Sequence, residues 1–295
     1  MQKCSIGIMA YNEERNIGKI LEALTKQKEK EVEIAEIVVV ASGCTDRTES
    51  IVKKFIKKDK RIKLISQSVR AGKVKAINDY LKMVEQPIVV MESADTVPNN
   101  DAIEKICFPL LKNKKVGVVG ARPIPVNDIN KFMGYVAHIQ WALHHKISLK
   151  KAKCGEMVAM RNELKNIPVD LIIDDAYIER YYLKKGYEIA YASDSIIKNK
   201  GPEIVEDFLR RRRNLAAGFI QLKKRYGYEP STSNTMWLIV ETFKFTGLNP
   251  KKITWALGAM ILNLYANLLG FYDYHVKKKH NVVWEIAKTS KELKP

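Results

Sequence analysis

The sequence predicts an α/β fold, a mainly parallel sheet with helices on both faces, followed by a C-terminal helical appendage. Three observations carry this reading. Apolar, β-branched runs of strand length alternate with helical stretches over residues 3–121, the pattern of strands joined by right-handed helical crossovers. The run at residues 34–41 is almost continuously apolar, as expected of a strand covered on both faces. After Tyr228 the composition shifts, and residues 253–272 carry no charge at all. The reading divides the chain into a domain at 1–228 and a helical segment at 229–295. A chain of 295 residues, 46% of them hydrophobic, is long enough for that arrangement.

In order, residues 4–10 read as the first strand. Asn12 is placed to cap a helix running to about Lys28, with Glu13 and Glu14 in its first turn. The second strand, 34–41, turns through Ser42, Gly43, Cys44, Thr45 and Asp46 into a helix ending near Lys58. A short strand at 63–66 leads to Arg70-Ala71-Gly72-Lys73, which opens a helix to about Val84. A helix over 100–111 and a strand at 115–121 follow the central stretch. A helical segment at 127–149 carries an apolar stripe and His138, His144 and His145, read as structural or surface residues. Then come a short strand ending at Arg161, a helix opened by Asp174 and Asp175 and closed by Gly186, a strand at 188–192, and a basic helix over 206–225. There is no GxGxxG or GxxxxGK[ST] phosphate loop and no fixed-period repeat.

The stretch 88–98, IVVMESADTVP, organises the rest. An apolar strand stops abruptly at Glu92, Ser93, Ala94 and Asp95. Ligands of open α/β sheets bind outside the carboxyl ends of strands, where a carboxylate can hold a hard divalent cation that bridges a diphosphate. The competing reading gives Asp95 only a turn before Pro98. The formal charge of +18 attracts polyanions: nucleic acid, anionic membrane or phosphorylated substrates. Cys4, Cys44, Cys107 and Cys154 are scattered without a CxxC pair, so neither a zinc site nor a secreted disulfide framework is expected. The chain enters a strand almost at once, and a reduced, cytoplasmic setting without a signal peptide is the expectation.

The order of motifs resembles the family 2 glycosyltransferases of GT-A fold. Ile8-Met9-Ala10-Tyr11-Asn12-Glu13 matches the family's opening, Ala41-Ser42-Gly43-Cys44-Thr45-Asp46-Arg47-Thr48 its DDGSxDxT motif, and Gly72-Lys73 its GK pair. Ser93-Ala94-Asp95 with Pro98 matches the metal-binding DAD, Gly155 and Arg161 the acceptor region, and Asp174-Asp175 the ED pair. The resemblance covers roughly residues 3–225. It implies a nucleotide-sugar donor held by Ala10, Tyr11, Asn12, Glu13, Ser42, Gly72, Lys73, Ser93, Ala94 and Asp95, with Mg²⁺ or Mn²⁺ on Asp95. It further implies inversion at the anomeric carbon, with Asp175 as base beside Asp174. Three departures stand out. Ala41 or Ser42 replaces the base-contacting Asp, Ser93 replaces the first Asp of DAD, and Arg211-Arg212-Arg213-Asn214-Leu215 replaces the QxxRW of polymerising members. The last implies transfer of a single sugar.

Transfer from a nucleotide sugar needs the departing diphosphate neutralised, the acceptor hydroxyl deprotonated and water excluded. Lys73 and the run Arg210, Arg211, Arg212 and Arg213 are candidate phosphate contacts; the alternative for the run is a solvated helix face. For Asp174 and Asp175 the alternative is a helix cap and first-turn acid. Residues 253–272 are about long enough to cross a bilayer. Basic residues flank both ends, Lys251-Lys252 and Lys277-Lys278-Lys279, which favours a helix lying at the interface over a crossing. A packed or oligomerising helix is the other option. The expectation is therefore a membrane-associated enzyme at the cytoplasmic face, acting on a glycan or polyprenyl-phosphate-type acceptor. In it the catalytic domain folds without the appendage. Competing functions are a nucleotidyltransferase, a nucleic-acid-binding protein, for which the arginine run lacks interleaved aromatics, and a relative that only binds nucleotide sugar.

Overall fold

A computed structural model describes residues 1–229, 235–278, 282–285 and 287–292; Lys279 of the basic flank lies outside them. One eight-stranded sheet has the order β3-β2-β1-β4-β7-β6-β8-β5. Its first half is β1 (Gln2–Ala10), β2 (Val32–Ser42), β3 (Ile62–Gln67) and β4 (Ile88–Ser93), all parallel. The crossovers between them are α1 (Ile17–Thr25), α2 (Thr48–Lys58) and α3 (Lys73–Met83). A three-residue strand, β5 (Thr96–Pro98), then leaves for the far edge, where it pairs antiparallel with β8 (Glu188–Asn199). α4 (Ala102–Lys112) leads into β6 (Val116–Pro125), which runs parallel to β8. Between β4 and β6 sits β7 (Val158–Arg161), antiparallel to both. The remaining helices are α5 (Phe132–Lys150), α6 (Asp175–Lys184), α7 (Val205–Tyr226), α8 (Thr235–Thr246) and α9 (Pro250–His275).

The continuous apolar strands sit in a sheet buried on both faces. Ile34, Ile37 and Val39 of β2 pack with Ile17 and Leu21 of α1, while Val38 and Val40 pack with Ile77 and Tyr80 of α3. Successive side chains of one strand thus feed two separate cores. Gly7 in β1 is required by this packing, because a Cβ there would lie 2.4 Å from the Tyr80 ring. The Tyr80 hydroxyl in turn donates to Ser5 Oγ at 2.9 Å.

Two sequence expectations change here. Asn12 does not cap the first helix. It sits at φ 51°, and the helix starts at Ile17 after Asn16. Asn12 tolerates the left-handed region because its short amide can bond locally, and it uses that amide on the β2–α2 loop. The strand expected at 188–192 runs on to Asn199 through an irregularity opposite Ala121 and Arg122.

The C-terminal segment is built onto the domain. Ala256, Ala259, Ala266, Gly270 and Asp273 form one buried face of α9, directed at α7 and α5. A Cβ on Gly270 would meet Ala216 Cβ and the Arg213 carbonyl oxygen, each at 2.6 Å, so the two helices touch backbone to backbone. Arg213 donates twice to the Asp273 carboxylate, at 2.6 Å each. Farther on, the Trp284 indole donates to the Ile172 carbonyl at 3.1 Å and its ring joins the core beneath α3 and α6. Side chains from beyond residue 229 thus join the packing of the domain. Arg213→Met should lower unfolding free energy in urea by about 3 kcal/mol, the low end for stranding a buried partner, because the Asp273 side chain left behind is 3% exposed. The double substitution Arg213→Met, Asp273→Leu should recover most of it. A loss below about 1 kcal/mol would assign the pair to solvated surface.

Candidate active site

The carboxyl ends of β1, β2 and β4 share one edge of the sheet, and the loops leaving them are stitched together. Asn12 Oδ1 accepts from the Thr45 N–H at 2.8 Å, and Asn12 Nδ2 donates to Thr45 Oγ1 at 3.1 Å. The Glu13 N–H donates to Thr48 Oγ1 at 2.8 Å and the Glu14 N–H to Asp46 Oδ2 at 3.0 Å. Burial works against the Asp46 charge, but hydrogen bonds from Thr48 and Glu14 win and hold its carboxyl below the usual range. The Arg70 guanidinium lies 4.0 Å above the Tyr11 ring centroid, which brings the loop before Gly72 and Lys73 onto the first motif.

Asp95 follows the last residue of β4 by two positions and is partly buried. Burial and the neighbouring Glu156 push its carboxyl upward, against the pull of Arg211 and Lys291. Glu13 is buried, and burial and Asp95 push it up to about 7. Glu13 accepts from Asn16 Nδ2 at 2.9 Å and from Lys291. Glu92 does not replace the missing first carboxylate of the SAD stretch. It is 2% exposed, its Oε1 accepts from the Thr96 hydroxyl at 2.8 Å, and burial raises it to about 8, which favours its protonated form. Ser93, Ala94, Ala10 and Ser42 complete the strand ends without a charge.

The second group of carboxylates comes from the other half of the chain. Lys73 Nζ, at the start of α3, lies 2.9 Å from Asp174 Oδ2, at the start of α6. Asp175 Oδ1 accepts from the Ala176 N–H at 2.8 Å. Burial and Asp174 push the Asp175 carboxyl upward, opposed by Lys73 and Lys153. Glu156 pairs with Arg211 of α7 and bears electrostatically on both Lys73 and Asp95. Glu179 accepts from the Tyr228 hydroxyl at 2.7 Å and is raised to about 7 by burial and Asp175. Carboxylates from the loops after β1 and β4, from the approach to β7 and from the start of α6 thus meet cations from α3, α7 and the C-terminal segment in one polar cluster.

Arg161 and three of the four adjacent arginines are placed otherwise. Arg161 stands opposite Ile88, at the amino end of β4. That is roughly 16 Å from the end holding Asp95, at about 3.3 Å per residue. Its guanidinium donates to the carbonyls of Val116 at 2.8 Å and Leu110 at 2.9 Å, a structural tie. The four arginines also separate, because successive residues of a helix point about 100° apart. Arg210 pairs with Glu206, Arg213 is engaged by Asp273, and Arg211 reaches the carboxylates. Arg212 has a buried Nε without a hydrogen-bond partner among the described residues, and burial beside Arg211 lowers it to about 10. Gly155 stays near the site: a Cβ there would come within 3.4 Å of the His144 ring. His144 Nε2 bonds the Cys154 carbonyl at 3.0 Å, and burial with Lys153 lowers it to about 4, a neutral imidazole.

Sequence reading missed Glu156, Lys153, Glu179 and Lys291. Glu156 adjoins a residue that was singled out, and its charge in an apolar strand approach was a signal. Lys291 had none. Its Nζ donates to the Tyr11 carbonyl at 2.8 Å from 280 residues away, and it pairs with Glu13.

A sequence profile described as glycosyl transferase family 2 matches residues 5–167. The chain is 24% identical over 223 residues to a poly-beta-1,6-N-acetyl-D-glucosamine synthase of Staphylococcus epidermidis, covering 72% of this chain and 53% of that protein. It is 28% identical over 176 residues to a dolichyl-phosphate beta-glucosyltransferase of Trichomonas vaginalis, covering 55% and 54%. The chain therefore spans about half the length of these curated relatives. Among solved structures, a mannosyltransferase of Pyrobaculum calidifontis, in complex with GDP-Man and Mn²⁺, superposes with a TM-score of 0.61 at 20% identity. The match covers 95% of this chain and 81% of that one.

Proposed function

The chain belongs to glycosyl transferase family 2, and from that premise we propose that it moves one sugar from a nucleoside diphosphate sugar to a membrane-held acceptor, with inversion. The observation that carries this reading is the meeting of Asp95, the Glu156–Arg211 pair and the Lys73–Asp174–Asp175 group in one cluster.

Among the described residues no three ligating side chains form a metal cage. A small hard cation that keeps its waters and takes phosphate oxygens needs only one or two protein carboxylates, and Asp95 with Glu156 or Glu13 adjoining fits that donor set. When bound, Mg²⁺ or Mn²⁺ neutralises charge on the departing diphosphate. Arg211, held by Glu156, supplies a fixed cation on the same side. Lys73 holds Asp174 and leaves Asp175 as the carboxylate available to take the acceptor proton. Its raised proton affinity suits a base whose working range lies nearer neutrality. Arg70 covers one face of the Tyr11 ring, and the other face is the flat surface proposed for a nucleobase.

The acceptor assigned here is lipid-linked, of polyprenyl-phosphate type, at the cytoplasmic face of a membrane. The uncharged run 253–272 of α9, with its exposed apolar side, and the relative named as a dolichyl-phosphate beta-glucosyltransferase support that assignment. Nucleic-acid binding is the weaker reading, since Arg210, Arg211 and Arg213 are engaged by carboxylates. The test is a thermal-shift screen of nucleoside diphosphate sugars with and without Mn²⁺, followed by mass analysis of product on a polyprenyl phosphate. We expect stabilisation by one donor class only with metal, and one added sugar per acceptor, because Leu215 offers no flat aromatic face to a sugar already transferred. A ladder of additions would remove the single-transfer reading. Stabilisation without any transfer would point to a binding protein.

A further inference from the structure

We propose that the outward side of α9, together with the end of α8, docks onto the surface of an anionic phospholipid bilayer, and that α9 lies in one leaflet instead of crossing it. By length α9 could span: 26 residues make ~39 Å at ~1.5 Å per residue, and its most apolar window has a mean hydropathy of 1.4. Its packing forbids the crossing. One side of α9 is sealed to the domain along most of its length. Trp255 and Ala256 pack on Tyr135 and Ile139 of α5, Ala259 and Leu262 on Phe208 and Leu209 of α7, and Gly270 and Asp273 on Arg213 and Ala216. To cross, α9 would have to pull α7, with its cluster of arginines and lysines, into hydrocarbon, where charged side chains are strongly disfavoured.

The other side is apolar and open. Leu257, Ile261, Leu264, Leu268 and Phe271 recur at helical spacing and are all exposed, Leu264 by 63%, and Leu248 in the α8–α9 turn is exposed by 95%. Such a stripe marks an interaction surface. Lysines stand at both ends of it, Lys244, Lys251 and Lys252 at one and Lys277 and Lys278 at the other. That distribution complements anionic headgroups along the whole helix. A second copy of the chain would bring lysine clusters against lysine clusters in either orientation, which disfavours self-pairing.

The proposal deepens the reading of a membrane-held acceptor, but its readouts are binding and labelling, so a failed transfer assay leaves it standing or falling separately. The full chain is sedimented with vesicles of phosphatidylcholine containing phosphatidylglycerol and with vesicles of phosphatidylcholine alone. We expect binding to the mixed vesicles, weakened by salt, and at least ~10-fold less of it for Leu264→Glu with Leu268→Glu, given the cost of charges at an apolar lipid face. Both positions face outward, so the near-ultraviolet dichroism of the variant should match the parent and report a preserved fold. In intact mixed vesicles, Lys251→Cys and Lys278→Cys should both be labelled from outside by a membrane-impermeant maleimide, above the background of the parent. Protection of one end would show a crossing and overturn the proposal. So would unchanged binding by the double variant, or a parent that ignores vesicles, whether as a monomer or as a dimer by light scattering.

Discussion

Asp95→Ala should bind a nucleoside diphosphate on the order of 10³-fold more weakly in the presence of Mn²⁺, and should respond to metal hardly at all. The size follows from losing a metal-held diphosphate, worth several kcal/mol, at tenfold per 1.36 kcal/mol. The same substitution should leave the metal-free protein as stable as its parent or more so. Asp95 is crowded by Glu13 and Glu156, and deleting it removes a like charge from a buried group. A site that functions at the expense of stability behaves in this way. Titration calorimetry with and without metal, paired with urea melts, reads both halves. Donor binding that survives with its metal dependence intact would take Asp95 out of the site.

Asp175→Asn should cut transfer at least ~10²-fold, the low end for loss of a general base, while donor affinity stays near that of the parent. The pH profile separates this from a structural effect. Burial and Asp174 raise the Asp175 carboxyl. The base therefore stays protonated, and idle, above the ordinary aspartate range near ~3.9, and the parent rate should climb with pH until that ionisation is complete. Asp174→Asn removes the like charge and frees Lys73, both of which favour ionised Asp175. Its profile should therefore move to lower pH with a modest loss of rate. A crippled Asp174→Asn beside a mild Asp175→Asn would exchange the two roles.

The parallel strands and the placement of residues such as Asp95 at their carboxyl ends were legible in the sequence because their signals are local. A continuous apolar run needs cover on both faces, and a carboxylate just past its end has one place to be, as with β4 and Asp95. Lys73 and Asp174 were legible as separate motifs, though nothing in the chain announced that they touch. Arg161 was misjudged because strand direction is a tertiary property. β7 enters antiparallel to β4, so Glu156 comes to the carboxyl end while Arg161, five residues on, is carried to the opposite one. The arginine run was misjudged because four adjacent residues on a helix cannot share a face. Only the partners at Glu206, Glu156 and Asp273 say which is which. The extent of the C-terminal packing was hidden for a related reason: small residues on α9 read as weak hydrophobicity in sequence, yet they permit its contact with α7.

Lys291 has a consequence for biosynthesis. The Glu13 carboxylate belongs to the loop after β1, and the ammonium that pairs with it is made 278 residues later. During translation the sheet core can condense from its early βα units, since those contacts are near in sequence, while its acidic pocket remains uncompensated. Closure of the pocket is then a late, long-range step, and nascent chains halted before residue 291 should be folded in their first half yet unsettled around Glu13 and Asp95.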